Sequence, residues 1–182
     1  LGCGPGNISM RLAERWPACS VLGLDAAKRM LAVADRRRRQ SGLSAERLRY
    51  SEAVLPVHQI DQPADLIVSN SLLHHLHDPQ QLWLSLRSLA SARCLVLHRD
   101  LRRPCSKEAL EVLCRTHVAD APAVLQRDYR ASLYASFTLE EVKTQLSLSG
   151  LEDLQVVAVE DRYLEVSGWI TGCQAGAEQR SS

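Results

Sequence analysis

The residues best placed to do chemistry begin at the first position. Leu1-Gly2-Cys3-Gly4-Pro5-Gly6-Asn7 sets three glycines at alternate positions directly before a segment in which Ile8, Leu12 and Trp16 recur every four residues. A glycine loop opening a helix lets backbone approach a ligand closely and offers it free N–H groups. The spacing is not the dinucleotide fingerprint: Asn7 stands where a small residue is needed, and Pro5 has no N–H to give a pyrophosphate. An uncharged nucleoside suits this loop better. An apolar run follows, Val21-Leu22-Gly23-Leu24-Asp25, ending in an acid at the place where nucleotide sites hold ribose hydroxyls. Taken alone, Asp25 is equally well read as a plain helix N-cap. A third group is His74 and His75, just beyond the apolar run Leu66-Ile67-Val68, where an imidazole is able to act as general base. The bland alternative is a histidine that caps backbone or packs on the next helix. His77 is close by, but neighbours on one local turn point apart and no acid or thiol completes a metal set, so no metal is expected. A fourth group, His98-Arg99-Asp100-Leu101-Arg102-Arg103-Pro104, is read as a loop beyond the next strand. There Asp100 is a catalytic candidate and Arg102 a substrate contact, against the alternative of an exposed charged loop.

Positioning these groups requires strands that alternate with helices, the pattern of a largely parallel sheet covered on its faces. A helix is predicted over about 7–16, stopped by Pro17, then a strand at 21–25 and a helix from Lys28 through the arginine cluster to Ser41, with Gly42 as terminator. Strands are predicted at 48–50, 66–68 and 94–97, with a helix opened by Asp78-Pro79 carrying Leu82, Leu86 and Leu89. From Pro104 to Gly150 the chain reads as helical pieces, the last opened by the capping box Thr138-Leu139-Glu140-Glu141. Strands at 154–159 and 163–166, with only Glu160-Asp161-Arg162 between them, must form an antiparallel hairpin. One domain over 1–168 and a frayed tail over 169–182 complete the expectation.

Composition narrows the class. At 46% hydrophobic residues and a net charge of +1, the chain is globular and is not dedicated to a polyanion. No apolar run approaches the roughly 20 residues of a membrane span, and no signal-peptide layout opens the chain, which points to the cytoplasm. The six scattered cysteines read as reduced thiols. Arg36-Arg37-Arg38-Arg39 invites a nucleic-acid reading, but with 4% aromatic residues few rings are available for base stacking, so a solvated helix face is the better account. Pro104-Cys105 also lies badly for a base-attacking thiolate.

Taken in order, LGCGPGN, LGLDAAKRML, YSEAVLP and DLIVSNSLLHHLHDP resemble the motif series of the class I S-adenosylmethionine (SAM)-dependent methyltransferases, above all their small-molecule branch. The resemblance extends over about 1–100 and fits the final hairpin. It implies a doubly wound, mostly parallel Rossmann-like α/β sheet ending in an antiparallel strand. It implies SAM as cofactor: Gly2, Gly4 and Gly6, with Cys3 between them, under the amino-acid part; Asp25 and the adjoining Ala26 at the ribose; Glu52-Ala53 against adenine, although the family usually has Asp in place of Glu52; and Asn70, Ser71 and Leu73 lining the cofactor. The family's first strand and the acid before the glycine loop have no counterpart here, so an N-terminally truncated protein is expected. Methyl transfer is an in-line displacement that needs alignment and exclusion of water more than catalytic side chains. His74 or His75 is the candidate base, and a helical insert at about 104–137 holding Tyr129 and Ser132 is the candidate substrate lid. The expected partner is a small-molecule methyl acceptor rather than a nucleic acid, with no membrane; the alternatives are an RNA or protein methyltransferase, or a non-catalytic partner subunit with the same fold.

Overall fold

The computed structural model describes residues 1–172 of the 182. It divides into two compact units, Leu1–Val57 and the chain from His58 onward. In the first unit, helix α1 (Asn7–Arg15) leads to strand β1 (Val21–Asp25), helix α2 (Lys28–Gln40) and strand β2 (Leu48–Glu52). β1 and β2 are parallel, in a register that sets Val21 against Leu48 and Asp25 against Glu52. Ala13, Leu24, Ala34 and Leu48 are buried. The Arg47 guanidinium donates to the carbonyls of Ala13 (2.7 Å) and Trp16 (3.2 Å), satisfying acceptors that the end of α1 leaves open. Arg36, Arg37 and Arg39 are exposed, as a solvated helix face requires, and only Arg38 departs from it. Arg38 is drawn in by Asp35 (3.0 Å) and the Leu43 carbonyl (2.7 Å).

The second unit is a four-stranded mixed sheet in the order β3-β4-β6-β5. β3 (Ala64–Asn70) leads through a 3-10 turn (Leu73–His75) and α3 (Gln80–Leu89) to β4 (Ala90–Leu101). Then come α4 (Lys107–Val118), α5 (Ala123–Ala135), α6 (Leu139–Leu148), β5 (Gln155–Val159) and β6 (Tyr163–Thr171). β3 and β4 are parallel, and β6 runs antiparallel to both β4 and β5, which makes the expected hairpin. The capping box forms: Glu141 N–H donates to Thr138 Oγ1 (3.3 Å) and Thr138 N–H to Glu141 Oε2 (2.8 Å). Leu82, Trp83, Leu86 and Leu89 of α3 and Val142 and Leu146 of α6 are buried, as are Ile67, Val96, Leu164, Val166 and Ile170 of the sheet. Trp83 Nε1–H is satisfied by Gln145 Oε1 at 3.0 Å. Among the described residues no helix is long and apolar enough to cross a membrane.

Two strands run well past their expected C-terminal ends. β4 does not stop at Leu97: it continues to Leu101, so His98, Arg99 and Asp100 are ladder residues and not a loop. Buried His98 and Asp100 alternate with Leu97 and Arg99, which are more exposed, so the two-residue period of a strand persists in polar letters. β6 likewise passes Gly168 and ends at Thr171, so part of the expected tail is strand. The remainder of that tail, 173–182, lies outside the described residues.

Candidate active site

In the first unit the glycine loop has a left-handed backbone, with φ of 61° at Gly2, 51° at Gly4 and 82° at Gly6. Only glycine adopts this at little cost. Cys3 N–H donates to the Leu24 carbonyl and Gly6 N–H to the Cys3 carbonyl, both at 3.0 Å, so the loop is tied to β1 and turned into α1. The Asp25 carboxylate completes the closure. Its Oδ2 accepts from Gly4 N–H at 2.7 Å and its Oδ1 from Ala27 N–H at 2.8 Å. Asp25 is therefore not the N-cap of α2; that position is Ala27, which makes no side-chain cap. Each carboxylate oxygen has a second lone pair and the residue is only half-buried, so it is still able to accept from a hydroxyl.

The three glycines differ in what holds them. A Cβ on Gly6 would lie 2.3 Å from Tyr50 Oη, and one on Gly23 would lie 2.5 Å from Tyr50 Cδ1. A Cβ on Gly4 would meet no atom within 4 Å. The Tyr50 ring leaves no room for a side chain at the buried Gly6, whereas Gly4 leaves open space above the loop. Tyr50 was missed from sequence, since only the β1–β2 register brings its ring to these glycines. Its hydroxyl is buried with no hydrogen-bond partner, and burial pushes its pKa up to about 12. Arg37 was missed too; it donates to the Pro5 carbonyl (3.2 Å) and to Asn7 Oδ1, bracing the loop from α2. Burial, and then the nearby Asp25 charge, raises the Cys3 thiol to about 11, so it stays protonated and unreactive. Glu52 and Ala53 follow directly at the end of β2, with Glu52 exposed and 3.4 Å from Lys28 Nζ, while Ala26 is exposed beside Asp25.

In the second unit the end of β3 turns sharply. Ser71 has φ of 51°, a left-handed conformation that costs a non-glycine residue on the order of 1–3 kcal/mol and that collects at functional sites. Asn70 and Ser71 are exposed there, joined by an Nδ2–H···Oγ bond of 3.0 Å. Leu73 faces inward, 1% exposed, and anchors the turn in the core.

Asp100 is the hub. At 1% exposure it lies inside the sheet, so it does not meet a substrate as a loop residue would. Its Oδ2 accepts from the N–H of Leu72 (2.8 Å) and Leu73 (2.7 Å). Its Oδ1 accepts from Leu101 N–H (2.7 Å) and is bonded to His74 Nδ1. Burial alone would push this carboxyl up, but the His74 bond, the His98 and His74 rings and the Leu101 amide outweigh it and hold the pKa below the ordinary value. His98 is 0% exposed, edge-on to Trp83 at 5.6 Å, with Nε2 3.7 Å from Asp100 Oδ2 and neither ring nitrogen hydrogen-bonded. Burial drives its pKa down to about 4 despite the Asp100 charge, so it is neutral. His75 is exposed, its ring 4.0 Å from that of His74, and burial of its ring followed by the His74 charge lowers its pKa.

Of the predicted substrate residues, Arg102 and Tyr129 come close to the hairpin turn. Arg102 N–H donates to the Arg162 carbonyl (2.7 Å) and its guanidinium to the Asp161 carbonyl (3.1 Å). Tyr129 packs against the cluster of Leu101, Leu110, Leu113, Cys114 and Leu133 with its hydroxyl buried and unpartnered. It is a packing residue of the insert. Ser132 is half-buried, and its carbonyl closes the end of α5 by accepting from Ser136 N–H at 3.0 Å. Among the described residues no group of His, Cys, Asp and Glu could hold a metal ion.

A glycine loop closed by a strand-end carboxylate in the first unit, and a sheet that ends in an antiparallel hairpin in the second, are both features of Rossmann-like methyltransferases. The model of the methyltransferase domain family matches residues 1–96, more than half of the 182, and the chain belongs to that family. It is similar to the trans-aconitate 2-methyltransferase of Methylobacterium nodulans, 39% identical over 114 residues that cover 57% of this chain and 42% of that one. The Escherichia coli (strain IAI39) enzyme of the same name is 37% identical over 92 residues, covering 50% of this chain and 34% of its own. The chain thus spans less than half the length of these relatives. Among solved structures, a SAM-dependent methyltransferase from Aquifex aeolicus superposes with a TM-score of 0.65 at 16% identity, covering 93% of this chain and 79% of its own. The plantazolicin methyltransferase BpumL, in complex with a triazolic desmethylPZN analog and SAH, gives 0.71 at 14% identity, covering 94% of this chain and 75% of its own. At such identities the two share the fold.

Proposed function

We propose that the protein transfers a methyl group from SAM to a small-molecule acceptor by direct displacement, releasing S-adenosylhomocysteine. The observation that carries this reading is the Gly4 N–H···Asp25 Oδ2 bond of 2.7 Å, which closes a left-handed glycine loop over space that no side chain fills. Such a surface receives a nucleoside whose charge is not phosphate. Gly2, Cys3 and Gly4 would lie along its amino-acid end, Asp25 and Ala26 at the ribose, and Glu52 and Ala53 at the base. SAM supplies a methyl group activated on a sulfonium, so the residues around it have to align and desolvate the reacting atoms more than to activate them. In the second unit the exposed Asn70 and Ser71, on their strained turn, are the polar groups suited to an acceptor.

Calorimetry is the direct test. SAM is expected to bind, NAD is expected not to, and Asp25→Ala is expected to weaken SAM binding by about 1–3 kcal/mol, the scale of a hydrogen bond to a charged group. Unchanged affinity in that variant would remove Asp25 from the ribose.

A further inference from the structure

The whole-chain charge of +1 averages two unlike units. Residues 1–57 carry 10 Lys and Arg against 5 Asp and Glu, a formal net charge of +5, whereas the residues from His58 onward carry 12 against 16, a net of −4. Such a sign difference between parts of one chain points to a polyanionic partner for the basic part.

Five of the ten cations in the first unit are committed within it. Arg38 and Arg39 are paired with Asp35, and Lys28 with Glu52. Arg47 holds the carbonyls of Cys19, Ala13 and Trp16, and Arg37 braces Pro5 and Asn7. Arg11, Arg15, Arg29 and Arg36 are different: they are exposed and make no ion pair among the described residues. Helix geometry orders them. Arg11 and Arg15 stand one turn apart on α1, and Arg29, Arg36 and Gln40 recur on one side of α2 at intervals of seven and four residues. Between the two helices lies an open cleft of about 450 Å³, walled by Asn7, Arg11 and Glu14 of α1 and by Arg37, Gln40 and Ser41 at the end of α2. The unpaired arginines thus extend the rows that form its two walls.

We propose that this face of the first unit binds single-stranded nucleic acid along its phosphate backbone, without reading its sequence. The proposal does not depend on the methyl-transfer reading above. Nine of the ten cations are arginines, whose planar fork matches the oxygens of a phosphate. A trough with cations on both walls receives a thin chain of evenly spaced charges, whereas a flat bilayer would touch only its rims. No aromatic side chain lines the cleft, so the bases are not stacked and the contact is electrostatic. Glu14, the acid in its wall, opposes the ligand. Each phosphate neutralised on a single strand contributes about −0.7 to the slope of log K against log salt, so four free arginines give a slope of about −3.

Fluorescence anisotropy of a short labelled oligouridylate, titrated with the whole chain at several salt concentrations, tests this. The wild type is expected to bind with a Kd on the order of 10⁻⁶–10⁻⁴ M near physiological salt, with that slope. Arg11→Gln/Arg36→Gln is expected to weaken binding about 10-fold and to flatten the slope by about 1 to 2. Glu14→Gln is expected to tighten it. All three side chains are exposed, so urea midpoints of both variants are expected to match wild type. No binding by the wild type at low salt overturns the proposal, as does full binding by the double variant. Binding to vesicles containing phosphatidylserine, with none to the oligonucleotide, also overturns it and gives the face to a membrane.

Discussion

Two carboxylates in this molecule do the same local job and end with different capacities. Asp25, at the end of β1, gathers the N–H groups of Gly4 and Ala27; Asp100, near the end of β4, gathers those of Leu72, Leu73 and Leu101. Each converts a strand end into a fixed loop, because ionised acceptors make the stronger hydrogen bonds. The difference is access. Asp25 is half-buried and keeps lone pairs that a ligand can reach, whereas Asp100 is sealed and acts outward only through His74. A loop acid of the first kind can bind, and one of the second kind can only position.

The sharpest way to break this contrast is to remove each acid. Asp100→Ala strips a buried turn of three amide acceptors and frees a buried imidazole, and it is expected to cost about 3–5 kcal/mol, the scale of breaking a buried charged network. Asp25→Ala exposes its two amides where water can replace the carboxylate, and about 1 kcal/mol is expected. Urea midpoints of the two variants check this; equal losses would show that access does not separate the sites.

Next in size is the pH dependence that His98 imposes beside Asp100. Its folded pKa of about 4 lies below the ordinary value near 6.5. Between those values the unfolded chain binds the proton that the folded chain refuses. Stability is thus fully present above about pH 6.5 and declines by about 3 kcal/mol as the pH falls to about 4. The depressed carboxyl of Asp100 acts in the same sense at still lower pH. His98→Phe is expected to flatten the first decline and leave the second, and urea midpoints measured across this window detect it. A wild-type midpoint constant over the same window would mean that water reaches the His98 ring.

How the two acids could be read from sequence follows from the same contrast. Asp25 was legible because its cue is spacing: a glycine loop, then an apolar strand, then an acid. The capping box at Thr138 and the hairpin around Glu160-Asp161-Arg162 were legible for the same reason, as local rules that hold wherever the chain goes. Asp100 was found as a candidate but put in the wrong place, because His98-Arg99-Asp100 looks like a loop by polarity and is a strand by alternation. Its partners, Leu72, Leu73 and His74, come from a turn 26–28 residues away, and only the β3–β4 register brings them together. The packing of Tyr129 was not legible either, because only tertiary contacts bring Leu101, Leu110 and Leu133 around it.

The glycines of the first loop sharpen the binding side. Gly4→Ala and Gly6→Ala both force an L residue into the left-handed region, at about 1–2 kcal/mol each. Only Gly6→Ala also drives a Cβ to within 2.3 Å of Tyr50 Oη, so it is expected to cost about 1–3 kcal/mol more than Gly4→Ala in thermal or urea unfolding. For SAM affinity the order reverses, because Gly4 is the position with open space above it. Equal affinities in the two variants would mean that the ligand does not pass over Gly4.

The smallest effect belongs to Tyr50→Phe, which removes one oxygen from beneath that loop. The hydroxyl is buried and has no hydrogen-bond partner, so the folded state leaves unmet a group that water satisfies in the unfolded chain. Its deletion therefore loses no bond and lifts a desolvation penalty, and the ring that fixes Gly6 and Gly23 stays in place. The expected change is a gain of no more than about 1 kcal/mol in urea unfolding, with SAM affinity within a few tenths of a kcal/mol of wild type. A clear loss of SAM affinity would instead show that the hydroxyl finds its partner when the cofactor binds. Tyr50 would then belong with Asp25 among the groups that bind, and not with Asp100 among those that position.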